Sequence, residues 1–270
     1  MMSKMKVQNN MMMRLMSSAS TTLITIIVIF IIFSGCRTTT SNIDKAGALY
    51  NAGVTYMERG DYEKAIESLK SARNLDPNSA RTYNALGLVY HKYGIYEKAI
   101  ECYLNSLELK PNAPNVNNNL SATYLQIGEY EKAIEQCNIA LSDKTYLSPS
   151  ASYFNLGQAY YAIGNSKKAK FNFKRSLEEE PDFDQAHYGL AKVLRESNDL
   201  KNAVKHLYKA IEINPYFVEA YYELGLILFD IKSDQKSQKY FEKVIDLAPE
   251  SEYALKAHSF INAINGRNRK

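Results

Sequence analysis

The sequence contains few residues that could carry chemistry, since it has no tryptophan, three cysteines and four histidines. An odd number of cysteines excludes an even disulfide framework, and no cysteine or histidine has the spacing of a metal site. No glycine-rich phosphate loop and no His-Glu-x-x-His motif occurs. These absences predict a protein that is not an enzyme and has no cofactor, metal or small-molecule substrate. Its histidines and two of its cysteines are expected to be surface or packing residues: His91, His187, His206, His258, Cys102 and Cys137.

An excess of charge is also missing. The formal net charge is +4, from 33 basic and 29 acidic residues. Three of the basic residues, Lys4, Lys6 and Arg14, lie within residues 1–35, which contain no acidic residue, so the rest of the chain has 30 basic against 29 acidic residues. A chain so close to neutrality lacks the basic surface that phosphate backbones require, and no nucleic-acid partner is expected.

Long apolar runs are absent except for residues 23–33, Leu-Ile-Thr-Ile-Ile-Val-Ile-Phe-Ile-Ile-Phe. This run is shorter than the stretch of about 20 residues that a membrane-spanning helix needs. Basic residues precede it, which is typical of a secretory signal peptide. We therefore predict a signal peptide over residues 1–35. The alternative is an uncleaved anchor, in which residues 17–22 lengthen the apolar run.

The apolar run ends in Phe33-Ser34-Gly35-Cys36. This tetrapeptide resembles the lipobox of bacterial lipoproteins, although Phe33 stands where leucine is usual. The resemblance implies that Cys36 receives diacylglycerol and becomes the mature N-terminus. Arg37 rather than aspartate follows, and by resemblance to lipoprotein sorting this implies anchoring in the outer membrane, facing the periplasm. Residues 36–45 are then the lipidated cysteine and a short polar tether.

The remaining chain repeats every 34 residues. Glu63-Lys64-Ala65-Ile66 recurs at residues 97–100 and again at residues 131–134. A second series consists of small residues at almost the same period: Gly53, Gly87, Ser121, Gly157, Ala191 and Gly225. Its step from the third to the fourth member is two residues longer, which indicates one insertion at that junction.

This period and pattern resemble the tetratricopeptide repeat (TPR). The resemblance implies an all-α, right-handed α-solenoid of helix–turn–helix repeats. Four glycines stand where the first helix of a repeat must end, in a left-handed conformation: Gly60, Gly94, Gly128 and Gly164. Residues 46–251 divide into six repeats, at 46–79, 80–113, 114–147, 150–183, 184–217 and 218–251. Residues 252–270 form a capping helix, which covers the apolar face of the last repeat, and a tail.

The geometry of the family implies that repeat positions 2, 5, 9 and 12 line an inner groove. With the neighbouring Asn119, the predicted protein-binding residues are Tyr50, Asn84, Leu88, His91, Asn115, Asn118, Asn119, Phe154, Gln158, Tyr161, Tyr188, Lys192, Arg195 and Tyr222. Asparagine side chains can pair with a peptide backbone, and aromatic rings provide contact area at low entropic cost. Alternatively, the aromatic residues pack between repeats and the asparagines form a solvated face. Substitution of Asn118 and Asn119 by alanine is expected to weaken partner capture without unfolding the array.

A lipobox, a polar tether and six repeats together resemble the pilotin lipoproteins of type IV pilus biogenesis, the PilF/PilW/Tgl family. The irregular junction at residues 142–149 and the asparagine-rich segment Val116-Asn117-Asn118-Asn119-Leu120 add to this likeness. The resemblance implies a protein partner, an outer-membrane secretin, whose localisation and multimerisation the chain assists. The alternatives are a general envelope adaptor that docks peptidoglycan enzymes, and an accessory protein of polysaccharide export.

Overall fold

The computed structural model describes residues 42–267, which contain thirteen helices and no strand. Helix α1 covers residues 42–58, so residues 42–45 of the predicted tether are helical. The other helices are α2 (Tyr62–Leu75), α3 (Ala80–Lys92), α4 (Tyr96–Leu109), α5 (Pro114–Gln126), α6 (Tyr130–Ser142), α7 (Ser150–Ala162), α8 (Ser166–Glu179), α9 (Asp184–Glu196), α10 (Leu200–Ile213), α11 (Val218–Asp230), α12 (Asp234–Leu247) and α13 (Glu252–Arg267).

The described residues form two compact units. The first ends at Tyr93 and contains α1, α2 and α3; the second begins at Gly94 and contains α4 to α13. Each of the six predicted repeats contains two helices. The predicted signal peptide and Cys36 lie outside the described residues.

The turn between the two helices of a repeat has a left-handed residue at one fixed position. Gly60, Gly94, Gly128 and Gly164 have φ between +76° and +79°, which confirms the prediction made for them. In the fifth and sixth repeats the equivalent residues are Asn198 and Lys232, at φ of 59° and 60°. Asparagine adopts this conformation with little strain, whereas lysine does so at a cost.

Small residues in the first helix of a repeat make room for a large residue in the second. The ring of Phe173, on α8, lies where a Cβ on Gly157 of α7 would be, at 2.6 Å. Gly225 of α11 and Phe241 of α12 repeat this arrangement 68 residues later. Phe173 and Phe241 are consequently almost completely buried. Close approach of the two helices therefore depends on glycine at this position.

The core of the second unit is continuous from α7 to α11. Phe154, Phe173, Leu190, Leu207 and Leu224 belong to one buried cluster, at spacings that place one apolar face of each helix inward. Cys137, on α6, is fully buried, and burial raises the pKa of its thiol to about 12. Cys102 is buried as well, so the predicted packing role of both cysteines is confirmed.

Helix α13 packs against α12 and α11. It buries Ala254, Ala257 and Ile264, and its Phe260 ring stacks on the Phe241 ring with centroids 5.1 Å apart. Without α13 the apolar face of the sixth repeat would be exposed to water, which is what a terminal repeat must avoid.

The inserted junction lies between α6 and α7. Asp143 Oδ1 accepts hydrogen bonds from the backbone N–H and the hydroxyl of Thr145, at 2.8 and 2.7 Å. The proline that closes other repeats has no backbone N–H and could not donate here. Tyr146 is half-buried, with its hydroxyl 3.2 Å from Ser152 Oγ on α7, whereas the Leu147 side chain is 95% exposed.

Candidate functional site

A pocket of about 530 Å³ lies in the second unit. Five of its residues were predicted from the repeat positions: Phe154, Gln158, Tyr161, Tyr188 and Lys192. The first three lie on α7, and the other two on α9. Spacings of four and three residues place them on one face of each helix, and the equivalent faces of consecutive first helices then line one surface. This pocket is the candidate binding site.

The side chains that surround the pocket combine apolar and amide groups. The residues that the sequence analysis did not single out are Ala122, Leu125, Gln126, Asn155, Phe173, Gln185, Gly189, Phe217 and Glu219. Of these residues, Gly189 could have been noticed in the sequence, because glycine in the middle of a helix is unfavourable by about 1 kcal/mol relative to alanine and needs a structural reason. A Cβ at Gly189 would lie 2.6 Å from the Phe173 ring, so close packing accounts for it. Phe173 and Phe217 lie outside the first helices of the repeats, and the groove positions of the family include only residues of the first helices.

Lys192 provides the positive charge of the pocket. Its Nζ lies 4.6 Å from the centroid of the Tyr161 ring and 5.7 Å from that of Tyr188, within the range of cation–π attraction. Among residues 42–267 no carboxylate forms an ion pair with Lys192. The ammonium group is therefore held in place by aromatic rings and can still receive a carboxylate from a bound chain.

Arg195 differs from Lys192, because its charge is already balanced. Its guanidinium lies 2.8 Å from a carboxylate oxygen of Glu223 and 3.5 Å from one of Asp230. It borders a second, smaller pocket of about 360 Å³, which shares Tyr161 and Lys192 with the first. Arg195 thus joins the fifth repeat to the sixth, and a partner would have to compete with Glu223 for it.

The tyrosine hydroxyls of the pocket stay protonated at neutral pH. Burial raises the pKa of Tyr161, and a hydrogen bond that its hydroxyl donates to Glu196 raises it further. Burial also raises the pKa of Tyr188, with smaller contributions from Glu223 and other neighbours. The Tyr188 hydroxyl can therefore donate a hydrogen bond to a bound chain, whereas the single O–H of Tyr161 is already donated to Glu196.

Phe154 and Tyr222 have a larger packing role than the groove prediction gave them. Phe154 is buried in the core cluster, and its ring lies 4.9 Å from that of Phe183 and 5.9 Å from that of Phe173. Tyr222 is half-buried among the rings of Phe241, Tyr253 and Phe260 near α13. Tyr222 therefore packs between helices, whereas Phe154 both packs there and lines the pocket.

The predicted groove asparagines of α5 differ in their exposure and in their hydrogen bonds. Asn115 is exposed, whereas Asn118 and Asn119 are half-buried. Asn118 Oδ1 accepts hydrogen bonds from Ser152 Oγ at 2.9 Å and from Asn155 Nδ2 at 3.0 Å. Its carboxamide oxygen therefore contacts the next repeat rather than solvent. Because of these contacts, we expect substitution of Asn118 to destabilise the array as well as to affect partner capture.

Four predicted groove residues lie in the first unit: Tyr50, Asn84, Leu88 and His91. All four are half-buried. The guanidinium of Arg81 stacks on the Tyr50 ring, 4.8 Å from its centroid. Burial, with a smaller contribution from Lys92, lowers the pKa of His91.

Residues 42–267 contain no group of three or more side chains that could hold a metal ion. None of the helices in this part of the chain is both long and apolar enough to cross a membrane.

Comparisons with known proteins identify the class. Tetratricopeptide repeat profiles match residues 80–113, 102–135, 150–183 and 218–251, and a further TPR repeat profile matches residues 53–94 and 191–231. The chain belongs to the tetratricopeptide repeat family, and the predicted all-α TPR fold is confirmed. A search of curated proteins found no match.

Among solved structures, the chain is similar to PilF of Pseudomonas aeruginosa, with 20% identity, a TM-score of 0.71, and coverage of 81% of this chain and 99% of PilF. It is also similar to PilW, described as a widely conserved type IV pilus biogenesis factor, with 22% identity, a TM-score of 0.72 and coverage of 78% and 97%. A third match is YrrB, a TPR protein with an unusual peptide-binding site, with 20% identity, a TM-score of 0.52 and coverage of 72% and 99%. The fold is therefore that of TPR scaffolds, which include pilus biogenesis factors.

Proposed function

We propose that this chain is a pilotin, a lipid-anchored TPR scaffold that binds the type IV pilus secretin and assists its localisation and multimerisation in the outer membrane. The observation that carries the binding part is the pocket around Lys192, where aromatic rings, amides and one cation without an ion pair converge. The match to nearly the full lengths of PilF and PilW supports the choice of pathway.

The pocket is suited to an extended segment of a partner protein. The amides of Gln126, Gln158 and Gln185 can donate to and accept from a peptide backbone. The Tyr161 and Tyr188 rings offer apolar area, and Lys192 can pair with an acidic side chain or a terminal carboxylate. Because the rings already hold the ammonium group, little side-chain entropy would be lost on binding.

The anchor is the second part of the proposal. Acylation of Cys36 would attach the chain to the outer membrane, and the repeats would then lie in the periplasm close to secretin subunits. A single acyl chain binds a membrane only marginally, whereas two or more hold stably, since each buried methylene contributes about 0.8 kcal/mol.

The decisive measurement compares secretin multimers in outer membranes from cells with and without this gene, run without full denaturation. We expect deletion to remove the multimer and to leave monomer behind. Unchanged multimers would contradict the pilotin role and leave a general envelope adaptor as the working function.

Charge reversal tests the pocket itself. Lys192→Glu should weaken secretin capture by about tenfold or more, because it places a negative charge where the partner's carboxylate is expected. Lys201→Glu, on an exposed position of α10, is the matched control and should bind like the wild type. Equal binding of the secretin by the two variants would show that the secretin contacts another part of the chain.

A further inference from the structure

Two histidines from different helices of the fifth repeat meet outside the pocket. His187 lies on α9 and His206 on α10, and their Nδ1 atoms are 2.8 Å apart. The ring centroids are 5.1 Å apart. His187 is 8% exposed, and His206 is half-buried. The pair is thus a contact in the packed interface between α9 and α10, with one ring accessible from solvent.

The second nitrogen of His187 fixes its tautomer. Nε2 lies 3.0 Å from the carbonyl oxygen of Pro181, which can only accept a hydrogen bond. Nε2 therefore carries the hydrogen, and the lone pair of the neutral ring is on Nδ1, facing His206. Histidines that bind metals have this same arrangement, in which the remote N–H donates to a backbone carbonyl and orients the ring.

The charges around the pair are mixed. The nearby carboxylates raise the pKa of one or other histidine, and the nearby ammonium groups lower it. The carboxylates are those of Asp182, Asp184 and Asp199, and the ammonium groups are those of Lys174, Lys205 and Lys209. Lys209 is itself placed between Asp182 and Glu212, at 3.5 and 3.4 Å. Burial is the largest cause that lowers the pKa of both histidines, that of His206 to about 4. Burial thus favours the neutral form of both rings, which is the form that binds metals.

We propose that His187 and His206 form a two-histidine site for a divalent transition metal ion such as Zn²⁺, with water completing the coordination. In the metal-free form His206 Nδ1–H donates to His187 Nδ1; on binding, the His206 proton moves to Nε2, so that both Nδ1 lone pairs face the ion. At a Zn–N bond length of about 2.0–2.1 Å and a tetrahedral angle, the two nitrogens would be about 3.3 Å apart. The rings meet head-on in the metal-free form, with Nδ1 atoms 2.8 Å and centroids 5.1 Å apart. Binding therefore requires each ring to turn toward the ion as well as a separation of about half an ångström.

The test is a calorimetric titration of Zn²⁺ into the full chain, purified in detergent with a histidine-free tag. We expect one site, weakened about tenfold or more in both His206→Gln and His187→Gln, since each variant removes one of two protein ligands. His258→Gln, at an exposed position of α13, is the matched control and should leave the affinity unchanged. Circular dichroism of each variant establishes that it is folded before the affinities are compared.

If Zn²⁺ binds the folded His206→Gln variant as tightly as the wild type, or does not bind the wild type at all, the site does not exist.

Discussion

At the scale of single residues, the array is specified by complementary volumes. Where the first helix of a repeat has glycine, the second has a large side chain, as in Gly157 with Phe173 and Gly225 with Phe241. In the third repeat the first helix has Ser121 at this position, and the second has the smaller, fully buried Cys137. A change of one methyl group on one side therefore has to be absorbed by the other.

We predict that Gly157→Ala destabilises the chain by about 1–3 kcal/mol, because the new Cβ meets a buried ring that has no room to move. Chemical denaturation measures the change. Gly266→Ala, where a Cβ meets nothing within 4 Å, is the control and should be neutral or slightly stabilising, since alanine is the better helix former. A Gly157→Ala variant as stable as the control would mean that the helices can separate without cost.

At the scale of helices, the third and fourth repeats are joined by polar groups as well as by apolar packing. Asn118 of α5 accepts from Ser152 and Asn155 of α7, and Asn155 Nδ2 also lies 3.0 Å from Ser121 Oγ. Ser152 and Asn155 are buried, so water cannot replace a lost partner easily. This network fixes the position of α7 relative to α5 despite the two inserted residues between the repeats.

Asn118→Ala should therefore lower the free energy of unfolding by about 1–3 kcal/mol, because it removes the acceptor that two buried donors share. Ser152 then keeps only the longer contact to the Tyr146 hydroxyl, and Asn155 keeps its bond to Ser121. Asn115→Ala, at an exposed position of the same helix, should change it by less than about 0.5 kcal/mol. Equal stability of the two variants, measured by urea unfolding, would show that water or another acceptor replaces Asn118.

At the scale of the whole molecule, the proposed membrane attachment would have to come from lipid rather than from charge. Without residues 1–35, basic and acidic residues almost balance, so an anionic surface would attract the chain weakly. The proposed acyl chains on Cys36 would then carry nearly all of the binding energy.

Cys36→Ser should consequently move the chain from the membrane fraction to the soluble periplasmic fraction or leave it with an unprocessed signal, which fractionation and immunoblotting measure. The matched control is Cys102→Ser, which keeps the anchor and replaces a buried thiol. Membrane retention of a processed Cys36→Ser protein would contradict the lipid anchor.

The repeats could be predicted from the sequence because the same pattern of small, apolar and turn residues recurs in each of them. Period 34, the small-residue series and the turn glycines each indicate the same helix pairs, and Asn198 and Lys232 keep the left-handed turn where glycine is absent. The pocket could be predicted in part, since Tyr161, Tyr188 and Lys192 follow from helix periodicity. Three features could not be predicted from the sequence: the packing of Phe154, the hydrogen bonds of Asn118 and the contact between His187 and His206. Each depends on which side chains of neighbouring helices meet, and the spacing of residues along a single helix does not contain that information.

The burial of Cys137 also determines whether its thiol can be oxidised before or only after the exported chain folds. Thiols react as thiolates, and one with a pKa of about 12 is hardly ionised at neutral pH. In the oxidising envelope proposed for this chain, the folded repeats thus shield Cys102 and Cys137 from the enzymes that make disulfides. An unfolded chain has no such protection. The fraction of molecules with a Cys102–Cys137 disulfide would therefore report how long the chain stayed unfolded after it crossed the inner membrane.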